Sequence, residues 1–265
     1  MSTNSVLMHP ATDNHIEMAA LDRIIAHRGA SAEAPENTLA AIDLAYRQGA
    51  RCMEIDVRIS ADDIPFVHHD VTLDRCTDAS GPLSSHTAKV LDGVNAAVLH
   101  PAYSPEPLPR LAAIIDWFTG HEATLNIEVK PEPGLEVRAA EAIANLIETR
   151  WPRERRLVFS CLCIDSLRIL RDRLPAFPRA LIMHEEPLDA LQDTLAELEC
   201  CNLHFNKEIA GTVPLDALKA RGYGLYCYTV NDVEHARELL AAGVDGVFTD
   251  YPARFITAFE APHET

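Results

Sequence analysis

The alternation of short apolar segments with longer amphipathic ones constrains the fold of this chain more than any other feature. It runs from about residue 23 to residue 260, and the short segments are rich in β-branched and apolar residues, as is typical of buried strands. Strands that alternate with helices run parallel within one sheet. The predicted strands span residues 23–27, 52–58, 124–130, 157–161, 180–183, 200–205, 224–230 and 246–249.

Helical patterns fill the intervals after these strands. Residues that commonly cap helix N-termini stand at three of their starts: Thr38, Asp165 or Ser166, and Asn231 or Asp232. The predicted helices span residues 38–49, 110–119, 135–149, 164–173, 187–197, 213–221, 232–242 and 252–260. Eight strand–helix pairs predict an α/β fold, a (β/α)8 TIM barrel with an inserted segment after strand 2. A doubly wound open sheet is the alternative, although no G-x-G-x-x-G or Walker loop supports it.

Chain length and one interruption of the alternation predict the domain organisation. The 265 residues match one barrel, with a flexible N-terminal tail over 1–20 and a single domain over 21–260. Residues 70–107 are rich in Pro, Ser, Asp and Gly and are too long for an ordinary βα loop. An insertion at that edge lies over the C-terminal face, so we expect a lid or a wall of the active site. A tolerated surface loop is the alternative.

Composition limits the partners. A formal charge of −17 argues against nucleic acid and against an anionic membrane surface. Residues 1–14 lack the basic and apolar regions of a signal peptide, and no apolar run approaches a membrane span. Seven cysteines, an odd number in mostly apolar segments, favour a reduced, cytoplasmic protein, and their spacing does not match a zinc site. A homo-oligomer is compatible with the sequence.

Acidic residues on two predicted strands indicate a metal site. In the second strand Glu54, Asp56 and Arg58 share one face and apolar residues share the other, so the carboxylates point into the barrel. Glu128 and Lys130 point inward from the next strand in the same way. Three converging carboxylates repel one another unless a cation lies among them, and all-oxygen ligands suit Mg²⁺ or Ca²⁺. A buried salt-bridge network with Lys130 and Arg58 is the alternative.

Two histidines flank this cluster in the sequence. His27 ends the first strand, and His69 follows an apolar segment beside Asp70. Two imidazoles near neutral pH suit the activation of a nucleophile and the protonation of a leaving group. Neighbouring carboxylates are expected to raise the pKa of such a histidine. Strand alternation would send His68 to the opposite side from His69, so at most one of them would meet a substrate.

Seven short motifs in register across the chain resemble the glycerophosphodiester phosphodiesterase family over about residues 24 to 253. They are His27-Arg-Gly29, Pro35-Glu-Asn-Thr38, Glu54-Ile-Asp-Val-Arg58, His69-Asp70, Glu128-Val-Lys130, Tyr228-Thr-Val-Asn231 and Gly243-Val-Asp-Gly-Val-Phe-Thr-Asp-Tyr-Pro252. The resemblance implies a TIM barrel that cleaves small glycerophosphodiesters to glycerol 3-phosphate and an alcohol.

The resemblance also implies roles for residues. It assigns one divalent cation, Mg²⁺ or Ca²⁺, to Glu54, Asp56 and Glu128, and acid and base catalysis to His27 and His69, not His68. It assigns the phosphate to Arg28 and Lys130, with Tyr228 in an aromatic wall. In the loop before the first helix, Glu36 or Asn37 is expected to orient the site, and the resemblance favours Glu36; Asp250 after the last strand is a further candidate. A polar loop without a function is the alternative. Departures from the family pattern are Tyr228 in place of a common Trp, Cys76 in place of a Thr, and Arg110 in place of a Thr.

Two rival functions use the same residues. A related barrel attacks sphingomyelin or lysophospholipid, but such work needs contact with a membrane, which this acidic chain does not favour. A phosphodiester-binding barrel without turnover is the non-enzymatic alternative, and it would normally have lost a ligand or a histidine.

Overall fold

The computed structural model describes residues 20–185 and 190–260. The tail predicted over residues 1–20 therefore lies outside the described residues except for its last position, as do the first residues of the helix predicted at 187–197. The described strands are β1 (Ile24–His27), β2 (Cys52–Ile59), β3 (Pro65–Val67), β4 (Thr124–Val129), β5 (Leu157–Cys161), β6 (Arg179–Met183), β7 (Asn202–Asn206), β8 (Gly224–Tyr228) and β9 (Gly246–Thr249).

Helices follow the barrel strands in the predicted order. The α-helices are α1 (Leu39–Arg47), α2 (Ala88–Leu91), α3 (Leu111–Thr119), α4 (Glu136–Arg150), α5 (Ile164–Arg173), α6 (Leu191–Glu197), α7 (Leu215–Lys219), α8 (Val233–Ala241) and α9 (Pro252–Glu260). Short 3-10 turns span Leu83–Ser85 and Lys207–Ile209. No helix in the described ranges is both long enough and apolar enough to cross a membrane.

The sheet closes on itself. Its strand order is β1-β9-β8-β7-β6-β5-β4-β2, and β1 also pairs with β2 in parallel. All eight strands of this ring pair in parallel, whereas β3 is an antiparallel addition to β2. The predicted TIM barrel is therefore confirmed, and the doubly wound alternative is wrong because an open sheet would leave β1 and β2 unpaired.

Two apolar layers fix the direction of the side chains. Met53, Ile55 and Val57 belong to the large core between the strands and the surrounding helices. A smaller core, which includes Ile25, Cys52, Val158, Tyr226 and Phe248, fills the barrel interior. Since side chains alternate along a strand, Glu54 and Asp56 face the interior.

Two predicted helix caps are present and one is wrong. The Thr38 hydroxyl accepts from Ala41 N at the start of α1, and Asp232 accepts from His235 N at the start of α8. For α5 the residue before the helix is Cys163, and Ser166 instead donates to the carbonyl of Glu136. The polar residues at the start of α5 thus lie inside the helix.

Residues 70–107 form a packed layer with its own core. The buried apolar side chains are Phe66, Leu73, Leu83, Ala88, Leu91, Val94, Ala96 and Leu108. The layer contacts the loop after β1, where Arg75 binds Glu36, and the loop after β4, where Ser84 donates to Glu132. These loops follow the C-terminal ends of parallel strands, so the insertion borders the face on which a TIM barrel carries its active site.

Candidate active site

Parallel register brings the predicted acidic residues together at one end of the barrel. His27 is paired in register with Glu54, and Asp56 with Glu128. Glu54, Asp56 and Glu128 each offer a carboxylate oxygen, and these three atoms lie within 4.8 Å of one another. The period of two residues along β2 and β4 is what aims all three at the same space.

This cluster fits a hard divalent cation. Glu54 Oε1 and Asp56 Oδ1 are buried and accept no hydrogen bond from the described residues. A buried acceptor without a partner costs about 1–3 kcal/mol, and more when it is charged. The three carboxylates form an all-oxygen set of the kind that binds Mg²⁺ and Ca²⁺. The donor set and the two oxygens that accept no hydrogen bond therefore agree on the class of ion.

The carboxylates differ in their electrostatic surroundings. Burial raises the pKa of Glu54 well above its ordinary value, and the negative charges of Asp56 and Glu128 raise it further. Burial also raises the pKa of Glu128, with Asp56 adding to the effect. For Asp56 burial acts in the same direction, but Arg28 and Lys130 outweigh it and hold the pKa of Asp56 below its usual range. Mutual repulsion in a buried site is the condition that a bound cation relieves.

Of the two expected cations, Lys130 contacts the carboxylates directly, whereas Arg58 acts on Asp56 and Glu128 only through its charge. Lys130 Nζ donates to Glu128 Oε1 at 2.9 Å and lies 3.5 Å from Asp56 Oδ1. Arg58 instead donates to the backbone carbonyls of His69 and Lys130. The expectation that Arg58 pairs with the carboxylates is wrong, because its guanidinium supports the two loops that carry His69 and Lys130.

His27 is oriented by Asp250. Their Nδ1 and Oδ1 atoms lie 2.7 Å apart, and Ser31 and Asn231 also donate to the carboxylate. Burial would raise the pKa of Asp250, but these hydrogen bonds lower it to about 2. Because an ionised carboxylate only accepts, the Nδ1 atom of His27 carries the proton, and in the neutral ring Nε2 is the free base.

His69 has an equivalent partner in Asp70. The Nδ1 atom of His69 lies 2.6 Å from Asp70 Oδ1. Burial lowers the pKa of His69, and Arg28 and Lys130 act in the same direction against Asp56 and Asp70. The neighbouring carboxylates raise the pKa of His69 as expected, but burial and the two cations outweigh them, so the net pKa is lowered. His68 is buried and bonded through Nε2 to the Thr72 carbonyl, away from the cluster.

Arg28 lies in a tight turn after β1. Its φ is +58°, and its backbone N–H donates to Glu54 Oε2 at 3.0 Å. A Cβ atom on the next residue, Gly29, would lie 2.5 Å from the carbonyl carbon of Ala41. Only glycine therefore fits there, and the approach of this turn to α1 aims the Arg28 guanidinium back at Asp56, with Nε 3.1 Å from Oδ2.

Glu36 and Asn37 support the site from the loop before α1. Asn37, with φ +60°, donates to Asp56 Oδ2 at 2.8 Å and accepts from the backbone N–H of Asp56 at 3.1 Å. Glu36 accepts from Arg28 and from Arg75. Sequence reasoning did not single out Arg75, because its position depends on how the insertion folds.

Tyr228 lies on the opposite side of the same opening. Its ring borders a small cavity that is also bordered by His27, Glu54 and Glu128. Its hydroxyl donates to the Met183 carbonyl at 3.1 Å. The ring thus presents an apolar wall beside the acidic cluster.

Comparisons with known proteins identify the chain's relatives. The model of the glycerophosphoryl diester phosphodiesterase family matches residues 27–254. A curated glycerophosphodiester phosphodiesterase of Caldanaerobacter subterraneus subsp. tengcongensis is 29% identical over 239 residues, which cover 88% of this chain and 96% of that protein.

Two solved structures share the architecture. A phosphodiesterase of Oleispira antarctica, solved with the product sn-glycerol-3-phosphate, has a TM-score of 0.85 and 33% identity, covering 91% of this chain and 98% of that one. The glycerophosphodiester phosphodiesterase of Agrobacterium tumefaciens strain C58 has a TM-score of 0.71 and 28% identity, covering 89% and 99%.

Proposed function

The chain belongs to the glycerophosphoryl diester phosphodiesterase family of phosphoric diester hydrolases, and from that membership we propose metal-dependent hydrolysis of a small glycerophosphodiester by histidine acid and base catalysis. The products would be glycerol 3-phosphate and an alcohol. The observation that carries the proposal is the convergence of a three-carboxylate cluster with two carboxylate-bound imidazoles at one end of the barrel. The product complex of the Oleispira antarctica relative supports the same chemistry.

Glu54, Asp56 and Glu128 would hold one divalent cation, Mg²⁺ or Ca²⁺. When bound, such an ion withdraws charge from a phosphate oxygen and so stabilises the transition state. Asn37 holds Asp56 in place by two hydrogen bonds, and the backbone of Arg28 holds Glu54. These contacts keep the carboxylates converged in spite of their repulsion.

Arg28 and Lys130 would bind the phosphate. Both side chains lie beside Asp56, at 3.1 Å and 3.5 Å, and so at the edge of the acidic cluster. Burial opposes the charge of Lys130, but Glu128 and Asp56 raise its pKa, so it stays protonated. A phosphodiester placed beside this pair would share its negative charge with two fixed cations. The Tyr228 ring would pack on the glycerol carbons.

His27 and His69 would transfer the protons. One imidazole takes the proton of the attacking oxygen, either a water or the glycerol 2-hydroxyl, and the other gives a proton to the departing alcohol. Each ring is bonded through Nδ1 to an aspartate, which leaves Nε2 for the reacting groups. The burial that lowers the pKa of His69 favours its neutral form, which suits a base.

The setting of the reaction follows from the same residues. A small, water-soluble diester suits a site walled by Tyr228 and the insertion. Five of the seven cysteines are buried free thiols, which favours action in the reducing cytoplasm.

The test is release of glycerol 3-phosphate from a panel of diesters that differ in the alcohol, with chelator and metal add-back. We expect turnover that chelator abolishes and that Mg²⁺ or Ca²⁺ restores. His27→Gln and His69→Gln should each reduce kcat by about 10²–10⁴-fold, the usual share of acid or base catalysis. His235→Gln on α8 is the matched control and should behave as the wild type.

Two results would contradict the proposal. Undiminished turnover in chelator would show that the reaction needs no cation. Near-normal turnover of both histidine variants, correctly folded, would show that His27 and His69 are not the acid and base. Lysophospholipid and sphingomyelin vesicles complete the panel, and cleavage of these alone would favour the membrane-directed rival instead.

A further inference from the structure

Arg75 joins the insertion to both halves of the active site. Its Nε donates to Asp70 Oδ2 at 2.6 Å, while Nη1 and Nη2 donate to the two oxygens of Glu36 at 2.6 and 2.7 Å. The other oxygen of Asp70 meets the His69 ring at 2.6 Å, and Glu36 Oε1 also accepts from Arg28 at 2.9 Å. The Arg75 guanidinium thus lies in the middle of a continuous chain of contacts that runs from His69 through Asp70 and Glu36 to Arg28.

This arrangement differs from an ordinary surface ion pair. Arg75 is 43% exposed, but its partners Glu36 and Asp70 are only 17% and 26% exposed and each contacts a further residue of the site. Arg110, at 41% exposure, makes two equally short bonds, but to Asp92 alone, which is 46% exposed. The two arginines share exposure and bond length, but Arg75 bridges two carboxylates that contact the site, whereas Arg110 binds a single surface carboxylate.

The planar fork of arginine is what permits the bridge. Its donors point in fixed directions within one plane, so a single side chain can hold two carboxylates at a set separation. A lysine would supply the charge without that geometry. The contact therefore fixes the orientation of Asp70 relative to Glu36, in addition to neutralising part of their charge.

We propose that Arg75 is a positioning residue that fixes His69 through Asp70 and Arg28 through Glu36, so that docking of the insertion completes the active site. The inference rests on the proposed function and deepens it. Without Arg75, Asp70 is free to turn away from the Nδ1 atom of His69, and the ring loses its single tautomer. Glu36, left with Arg28 as its only arginine partner, draws that guanidinium away from the phosphate.

Steady-state kinetics of a set of variants test whether Arg75 acts through Asp70 and Glu36. Arg75→Gln should lower kcat/KM by about 10–100-fold, the usual cost of losing a group that orients a ligand. Asp70→Asn should lower mainly kcat, Glu36→Gln should raise mainly KM, and Arg75→Gln should do both. Adding Arg75→Gln to the Asp70→Asn/Glu36→Gln double variant should change little further. Arg75→Lys should resemble Arg75→Gln, and the matched control Arg110→Gln should resemble the wild type.

A second measurement does not depend on turnover. Nitrogen-15 NMR of the histidine rings reports the tautomer of His69. The signals of His69 are identified by their absence from the spectrum of His69→Gln. The charged groups facing this ring are Asp70, Asp56, Arg28 and Lys130. At a pH where the ring is neutral, the wild type and Arg110→Gln should show the proton on Nδ1, and Arg75→Gln should show a mixture of tautomers.

The outcomes separate the inference from the proposed function. An unchanged His69 tautomer in Arg75→Gln overturns the inference, whatever the enzyme hydrolyses. The inference is also overturned if Arg75→Gln lowers kcat/KM of the double variant as much as it lowers that of the wild type, because Arg75 would then act without Asp70 and Glu36, by contacting the substrate itself. If the wild type releases no glycerol 3-phosphate, the proposed function fails while the tautomer still decides the role of Arg75.

Discussion

At the scale of single residues, each imidazole of the site is held by a carboxylate that is itself held by other donors. Asp250 accepts from Ser31 and Asn231 as well as from His27, and Asp70 accepts from Arg75 as well as from His69. Partners of this kind fix the tautomer and the orientation of a ring before a substrate arrives. Both rings of the candidate site are therefore held in place by carboxylates that have further donors of their own.

A third histidine inside the barrel gives the protein a pH-dependent stability. His204 is 1% exposed, packs against the rings of Tyr226 and Phe248, and its Nε2 atom has no hydrogen-bond partner among the described residues. Burial lowers its pKa to about 3. In the unfolded chain the pKa of a histidine is about 6.5, so between these values the unfolded state binds the proton more tightly and stability is lost as the pH falls.

We expect the free energy of unfolding of the wild type to fall by about 2 kcal/mol between about pH 7 and pH 5, because His204 takes up a proton in the unfolded chain but not in the folded one. The measurement is urea unfolding at both pH values. The same pH change should cost His204→Leu about 2 kcal/mol less, and His235→Gln, a control on the outside of the barrel, should follow the wild type. Equal losses in all three proteins would show that His204 is not buried as a neutral ring.

Sequence predicted the acidic residues of the site and several of their neighbours, but not all the contacts that hold them. The two-residue period along β2 was enough to turn Glu54 and Asp56 inward, because strand geometry is local. It did not show that Arg58 would bind carbonyls, because the loops that provide them come from distant segments. The net lowering of the His69 pKa could not be predicted for a related reason, since its largest cause is burial, which depends on how the insertion packs.

At the scale of elements, the insertion is the part that the alternation could not describe. The predicted barrel strands agree with the structure within two residues at either end. The three-residue β3 was missed because it is short and begins with Pro65, which signals an edge or a turn rather than a strand. The packed core of residues 70–107 involves contacts across tens of residues, and no period in the sequence reports it.

The core of the insertion should open separately from the barrel. Leu91 is fully buried in this small cluster, and Leu→Ala at such a site costs about 2–5 kcal/mol. In Leu91→Ala we expect faster amide exchange over residues 71–108 with little change in β5 to β8. We also expect kcat/KM to fall as in Arg75→Gln, because Arg75 is then no longer docked.

The control for this experiment lies in the outer layer of the barrel. Leu218 on α7 is equally buried, but it packs in the large core. Leu218→Ala should lower the stability of the barrel without selective exchange in the insertion. Uniform exchange throughout Leu91→Ala would mean that the insertion and the barrel unfold as one unit.

At the scale of the whole molecule, closure of the sheet places the residues of the candidate site at one end. The eight barrel strands are parallel, so the segments after β1, β4 and β9 meet around Glu54 and Glu128, and the segment after the antiparallel β3 brings His69 to the same end. Residues far apart in the sequence, such as His27 and Asp250, are thereby brought into contact. The eightfold alternation was sufficient to predict this closure, because helices on a parallel sheet and short connections leave few other topologies.

The net charge of the whole molecule is negative, as is that of an anionic diester, so the two repel each other. The formal charge is −17, while the site itself carries Arg28, Arg75 and Lys130. The Debye length falls from about 30 Å at 0.01 M salt to about 10 Å at 0.1 M, so added salt screens the distant acidic surface more than the nearby cations.

For a singly anionic diester such as glycerophosphoglycerol, we expect kcat/KM to rise over this range, on the order of 2- to 10-fold, because the encounter of enzyme and diester is influenced by charge. Glycerophosphocholine, which has no net charge, is the matched substrate and should change little. A fall with salt for the anionic diester alone would show instead that the local cations govern its approach, and that the acidic surface does not reach the mouth of the barrel.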